Sequence, residues 1–146
     1  MTARPPALRV VVVDASVMTA VYVSKDVQHT ASRDWLRRYV LGGGEIVAPW
    51  LMAVEVAASV ARRTQPVRGH AALRGVQQLS ALRFVTVNRA LHLRAATIGA
   101  ELSIKGPDSI YVAVAERLEV PLISWDGEHN TRATAVIAVY TPDIAP

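Results

Sequence analysis

The chain contains no cysteine, which excludes a disulfide framework, a thiolate zinc site and a cysteine nucleophile. Aromatic residues make up only 5% of it, which argues against an exposed stacking platform as the main device for holding nucleobases. Lysine is scarce too: Lys25 and Lys105 stand alone, and the other fourteen of the sixteen basic residues are arginine, whose planar fork suits phosphate. Gly42-Gly43-Gly44 follows a helical pattern and lacks a following Lys-Ser/Thr, so it is no phosphate loop, and no G-x-S-x-G elbow occurs. No apolar run is long enough to span a membrane. The opening MTARPPALRVVVVDAS sets arginines before an apolar run as a signal peptide does. That run is short and ends in an acid, so the expectation is a soluble, unanchored protein with no membrane partner. His29, His70, His92 and His129 show neither His-x₃-His spacing nor close acidic pairing, and each reads as a surface or internally satisfied histidine.

What is present describes a globular chain. With 146 residues, 51% of them hydrophobic and 19% charged, it fits one domain, residues 1–146, with a core of its own. The formal charge of +4 and pI near 10.0 favour a polyanionic partner. Short β-branched runs at 8–13, 45–48, 83–87, 120–124 and 135–140 read as strands buried on both faces. Helical patterns lie between them: around Trp35, Leu36, Tyr39 and Val40; from Pro49 to about Arg63; from Pro66 through Leu73, Val76 and Leu79; through Leu91, Ala95, Ile98 and Leu102; and from Asp108 to Leu118. The alternation predicts an α/β fold, a central, mainly parallel sheet of about five strands with helices on both faces. In such a sheet ligands sit beyond the carboxyl ends of the strands.

Four acids occupy positions where a solvated charge is not expected. Asp14 closes RVVVVDAS and Asp126 closes VPLISWD, each at the carboxyl end of a strand. Glu55 interrupts the apolar helix WLMAVEVAASVA, where its neighbours one turn away, Leu51, Met52, Ala58 and Ser59, offer no basic partner. A buried lone carboxylate needs compensation, which a cation supplies and an arginine from another element could also supply. Asp108 opens PDSIYVAVAERL. Taken singly, Asp14 and Asp108 are ordinary helix caps and Asp126 an ordinary turn residue; taken together they suggest an oxygen-ligand site for Mg²⁺ or Mn²⁺. The other eight acids, Glu128 among them, read as solvated faces and turns. Arg62 shares a helix stripe with Glu55 and Ser59, which could aim it at a phosphate, with Arg63 beside it.

The ordered set VVVDASV, AVEV and GPDSIYVAVAERLEVPLISWD resembles the PIN-domain ribonucleases, and more narrowly the VapC toxins of toxin–antitoxin pairs. The resemblance covers nearly the whole chain. It implies that Asp14, Glu55, Asp108 and Asp126 are catalytic metal ligands, with Ser16 and Ser124 supporting them; the helix stripe, apart from the resemblance, makes Arg62 and Arg63 candidate RNA contacts. Ser109 departs from the alanine usual after the third acid. GEHNTRA departs from the acid or basic pair that follows the fourth in some relatives, leaving one or two metal ions open. A cytoplasmic Mg²⁺- or Mn²⁺-dependent endoribonuclease follows from the resemblance, with RNA as substrate, a VapB-type antitoxin as partner and a homodimer as its expected assembly. Water would attack the phosphodiester, leaving a 5′-phosphate and a 3′-hydroxyl. The alternatives are an α/β phosphatase with a nucleophilic Asp, for which the second acid of D-x-D is missing, and a receiver-like Mg²⁺-binding signalling or interaction module. The receiver pattern needs adjacent acids after the first strand and a late lysine, and neither occurs.

Overall fold

A computed structural model describes residues 9–146. The first strand, β1 (Val10–Val13), is a run of four valines. Successive strand side chains point to opposite faces, and Val11, Val12 and Val13 are all buried, so both faces of the sheet are covered. After β1 come α1 (Ala15–Tyr22), α2 (His29–Leu41), β2 (Glu45–Pro49), α3 (Leu51–Arg63), α4 (Pro66–Gln78) and β3 (Leu82–Val85). The chain continues through α5 (Arg89–Leu102), α6 (Gly106–Leu118), β4 (Leu122–Ile123), α7 (Gly127–Arg132), a 3-10 turn at Ala133–Ala135 and β5 (Val139–Tyr140). All four pairings are parallel and the strand order is β3-β2-β1-β4-β5. The chain winds outward from β1 through β2 to β3, then returns to build β4 and β5 on the other side. The strand order therefore reverses at β1, with its carboxyl end and that of β4 side by side.

Local chemistry explains most of the elements. Asn88 caps α5, its side chain accepting from the N–H of Leu91 at 2.9 Å. Leu91, Ala95 and Ile98 are its buried stripe. Gly69 lets α4 lie close on α3: an added Cβ would sit 2.7 Å from the Ala57 carbonyl and from the Ala61 methyl. Gly44, leading into β2, has the same role against Tyr39, whose buried ring would be 2.3 Å from a Cβ there. The Tyr39 hydroxyl donates to the Arg9 carbonyl at 2.8 Å and so braces the start of β1.

The boundaries differ from expectation in several places. Pro49 ends β2 instead of opening α3, and Trp50 is the first non-strand residue. Helix α6 begins at Gly106, so Asp108 lies inside its first turn and is not its cap. The strand expected at 135–140 shrinks to two residues because Ala133–Ala135 wind into a 3-10 turn. The strand expected at 120–124 keeps only Leu122 and Ile123. Gly127–Arg132, given no element in the expected fold, form helix α7. Leu8 of the first strand and the arginine-bearing start of the chain lie outside the described residues. Among the described residues no helix is long and apolar enough to cross a membrane.

Candidate active site

The strand register places the first two site residues. Val13 pairs with Ile123, so the residues that follow them, Asp14 and Ser124, emerge together at the carboxyl edge. Asp14 is 4% exposed, and its carboxylate is held on both oxygens. Oδ1 accepts from the Ser16 hydroxyl at 2.5 Å and the Ser16 N–H at 3.1 Å. Oδ2 accepts from the Ser124 hydroxyl at 2.6 Å and lies 3.0 Å from Nδ1 of His129. Both serines are themselves fixed: Ser16 Oγ accepts from the N–H of Trp125 at 3.0 Å, and Ser124 Oγ from the N–H of Asp126 at 2.9 Å. Asp14 is thus cap and site residue at once, since the bond from Ser16 N also starts α1.

Glu55 comes from α3 on the neighbouring β2 crossover and is half-buried. Its Oε1 accepts from the Tyr111 hydroxyl at 2.7 Å. Among the described residues no guanidinium pairs with it. Burial raises its pKa and the Asp14 charge raises it further, against the Tyr111 bond and His129, which lower it. The turn around it is more open than its apolar sequence suggests. Val54 is 67% exposed, and Val54, Glu55, Ala58, Ser59 and Arg62 all face one cavity.

Asp108, in the first turn of α6, has its carboxyl pushed up to about 6, chiefly by burial and then by the charges of Asp126, Asp14 and Glu55, with His129 opposing. Asp126 caps α7 by accepting from the N–H of Glu128 at 2.8 Å. Asp108, Asp126 and Glu128 can each offer an oxygen so that all three lie within 4.8 Å of one another. Glu128 is therefore a correction: it belongs to the acidic group instead of to a solvated turn. It also accepts from the backbone N–H of Lys105 at 3.0 Å, which ties α7 to the start of α6. Asp14 and Glu55 lie outside that tight trio and share a cavity with Asp108 and Asp126, which Glu128 does not line.

His129 is the residue that sequence reasoning missed. It is fully buried beneath the acids, and its Nδ1 bonds Asp14. Its Nε2 is 3.6 Å from Asp108 Oδ1 and has no hydrogen-bond partner. Burial disfavours the charged ring, but the Asp14 bond and the charges of Asp14, Asp108 and Asp126 outweigh it and raise the pKa. No local signal in the sequence marks it, because its partners Asp14 and Ser124 come from the ends of β1 and β4.

The cavity enclosed by these elements measures about 530 Å³ and is lined by Asp14, Glu55, Asp108 and Asp126 together with Arg62 and Arg63. Ser16 lines it too, whereas Ser124 lies behind, bonded to Asp14. Arg63 is tied to Asp26 at 2.6 Å. The donors are carboxylate oxygens, the choice of a hard divalent cation. Asp108, Asp126 and Glu128 can bring oxygens within 4.8 Å of one another, and Asp14 and Glu55 share a cavity with the first two, so the residues present fit such an ion.

The PIN domain family matches residues 11–134, and the chain belongs to it. Solved structures of similar fold include a Mycobacterium tuberculosis toxin, VapC20, described as cleaving the sarcin–ricin loop. It is 17% identical, with 93% of this chain and 99% of that one covered and a TM-score of 0.72. Another is the FitAcB structure from Neisseria gonorrhoeae, 14% identical over 92% of this chain and 99% of that one, TM-score 0.68. A third is VapBC2 from Rickettsia felis, bound to a DNA fragment from its promoter, 10% identical over 90% and 98%, TM-score 0.68. At these identities the likeness is one of fold. No curated protein matches the chain.

Proposed function

We propose that residues 1–146 act as one unit, a cytoplasmic VapC-type toxin: an endoribonuclease dependent on Mg²⁺ or Mn²⁺ and neutralised by a VapB-type antitoxin. One observation carries the reading: Asp14, Glu55, Asp108 and Asp126, from four separate elements, line one cavity at the carboxyl edge of the sheet, with arginines at its rim. The toxins and toxin–antitoxin complexes that share the fold support it.

In this reading Asp14, Glu55, Asp108 and Asp126, with Glu128 beside the last two, would hold the ion, which would supply Lewis-acid activation of water and charge stabilisation at the phosphate. Ser16, Ser124 and His129 fix the Asp14 carboxylate so that little reorganisation accompanies the reaction. Glu55, with a raised pKa and one oxygen occupied by Tyr111, is suited to accept the proton of the attacking water. Arg62, exposed and without an ion pair among the described residues, is placed to bind the phosphate that flanks the cut. An antitoxin arginine entering the carboxylates would compete for their charge. The packed α3–α4 pair, with Trp50, Val54 and Val67 exposed, is a candidate surface for the antitoxin or a second copy.

Purified protein incubated with total RNA, with and without EDTA, tests the reading. Cleavage that EDTA abolishes, with 5′-phosphate and 3′-hydroxyl ends, is the expected result. Ends bearing a 2′,3′-cyclic phosphate would refute it, because they require the ribose hydroxyl as nucleophile.

A further inference from the structure

A second cleft, of about 400 Å³, adjoins the acidic cavity where the end of α1 meets the junction of α3 and α4. Its polar lining includes Ser24, Lys25, Arg63, Thr64 and Arg68, and no acid is among its lining residues. Arg63 lines both cavities, so the basic cleft begins where the acidic one ends. The Asp26 carboxylate holds Arg63 at that boundary, with one oxygen on the guanidinium at 2.6 Å and the other on the N–H of Gln28 at 2.7 Å. Lys25 and Arg68 are exposed, and among the described residues neither makes an ion pair. Two cations without an ion pair among the described residues, joined through Arg63 to the site proposed to bind a phosphodiester, are complementary to further phosphates of the same strand.

We infer that this cleft carries the sugar–phosphate backbone of single-stranded RNA away from the scissile bond, past Arg63 and onto Lys25 and Arg68. The inference rests on the nuclease reading and adds a path for the substrate. Its donors suit phosphate oxygens, so the cleft contributes affinity and register without reading sequence.

The test is fluorescence anisotropy with mixed-sequence single-stranded RNAs of about 2 and about 20 nucleotides, the shorter too small to extend from the acidic cavity into the basic cleft. Binding is measured over a range of salt with Ca²⁺ in place of Mg²⁺. Loss of two phosphate contacts in the Lys25→Ala/Arg68→Ala protein should reduce the salt slope for the longer RNA by about 1.4. The shorter RNA should bind unchanged. An Arg33→Ala/Arg37→Ala control removes the same charge from exposed positions that line neither cavity, and should keep the wild-type slope. Equal slopes in the two double variants would overturn the inference. So would competition by poly-L-glutamate as strong as that by RNA, which would assign the cleft to an acidic polypeptide. Cleavage of the same RNAs with Mg²⁺ separates the two readings: a slope change without cleavage sinks the nuclease proposal alone, and cleavage without a slope change sinks the backbone path alone.

Discussion

Replacing His129 with phenylalanine removes the one basic side chain buried among the acids in the described residues and leaves the chain an aromatic of similar shape. Asp14 keeps its bonds from Ser16 and Ser124 but loses the one from Nδ1 at 3.0 Å. A hydrogen bond to a buried charged group contributes about 1.5–3 kcal/mol. For a chain of this size each kcal/mol moves the melting temperature by about 2–4 °C, so the metal-free variant should melt roughly 3–12 °C lower. His129→Asn keeps a donor near the Nδ1 position without the charge, and should fall between the two. The sign of the pH dependence is fixed by the raised folded-state value. The stabilisation from His129 is complete below the ordinary histidine value and disappears as pH rises through the raised one, so the gap between wild type and variant narrows in alkali. Differential scanning fluorimetry with and without Mg²⁺ separates this from simple overpacking. A cation that restores the missing positive charge should stabilise His129→Phe more than wild type, whereas a steric defect would not respond to it. Equal metal-free melting temperatures, or equal Mg²⁺ shifts, would refute the assignment of His129 as the cluster's internal counter-charge.

Asp108→Asn should abolish cleavage and cut the Mn²⁺-induced melting shift, read by fluorimetry. Because the Asp108 carboxyl titrates at about 6, Mn²⁺ affinity should fall about tenfold per pH unit below that value, with proton release seen by calorimetry in buffers of different ionisation enthalpy. Without metal, the same raised value makes the folded state hold this proton more tightly than the unfolded one. Stability from this group therefore declines as pH rises from 3.8 through about 6. Tyr111→Phe takes away the bond that lowers the Glu55 value, so the acidic limb of the pH–rate profile should move upward. Gly44→Ala drives a methyl into the Tyr39 ring and should cost about 1–3 kcal/mol, measured as a lower urea midpoint at unchanged slope.

The valine run and the strand–helix alternation were enough to anticipate the sheet, because a parallel interior strand must be apolar on both faces. They also led to Asp14, since an acid directly after such a run sits at the sheet edge whatever the rest of the chain does. Glu55 was legible for the opposite reason, as a charge within an apolar helix. His129 and Glu128 were not. GEHNTRA carries no hydrophobic period, and its histidine is buried only because α7 folds back over the ends of β1 and β4, a contact between residues more than a hundred positions apart. Asp108 was placed correctly at the head of a helix but given the wrong local role, because Pro107 allows α6 to start two residues earlier. The ends of the last strands depended on tertiary pairing and were drawn too long.

The pairing of β1 with β4 has a consequence for biosynthesis. Val13 leaves the ribosome well before its sheet neighbour Ile123, which follows only after six helices have been translated. A nascent chain ending before that point holds Asp14 but lacks Ser124, Asp126 and His129, so its acidic pocket is unassembled. Synthesis itself therefore delays assembly of the acidic pocket, and stalled or truncated products of the message should lack the proposed nuclease activity.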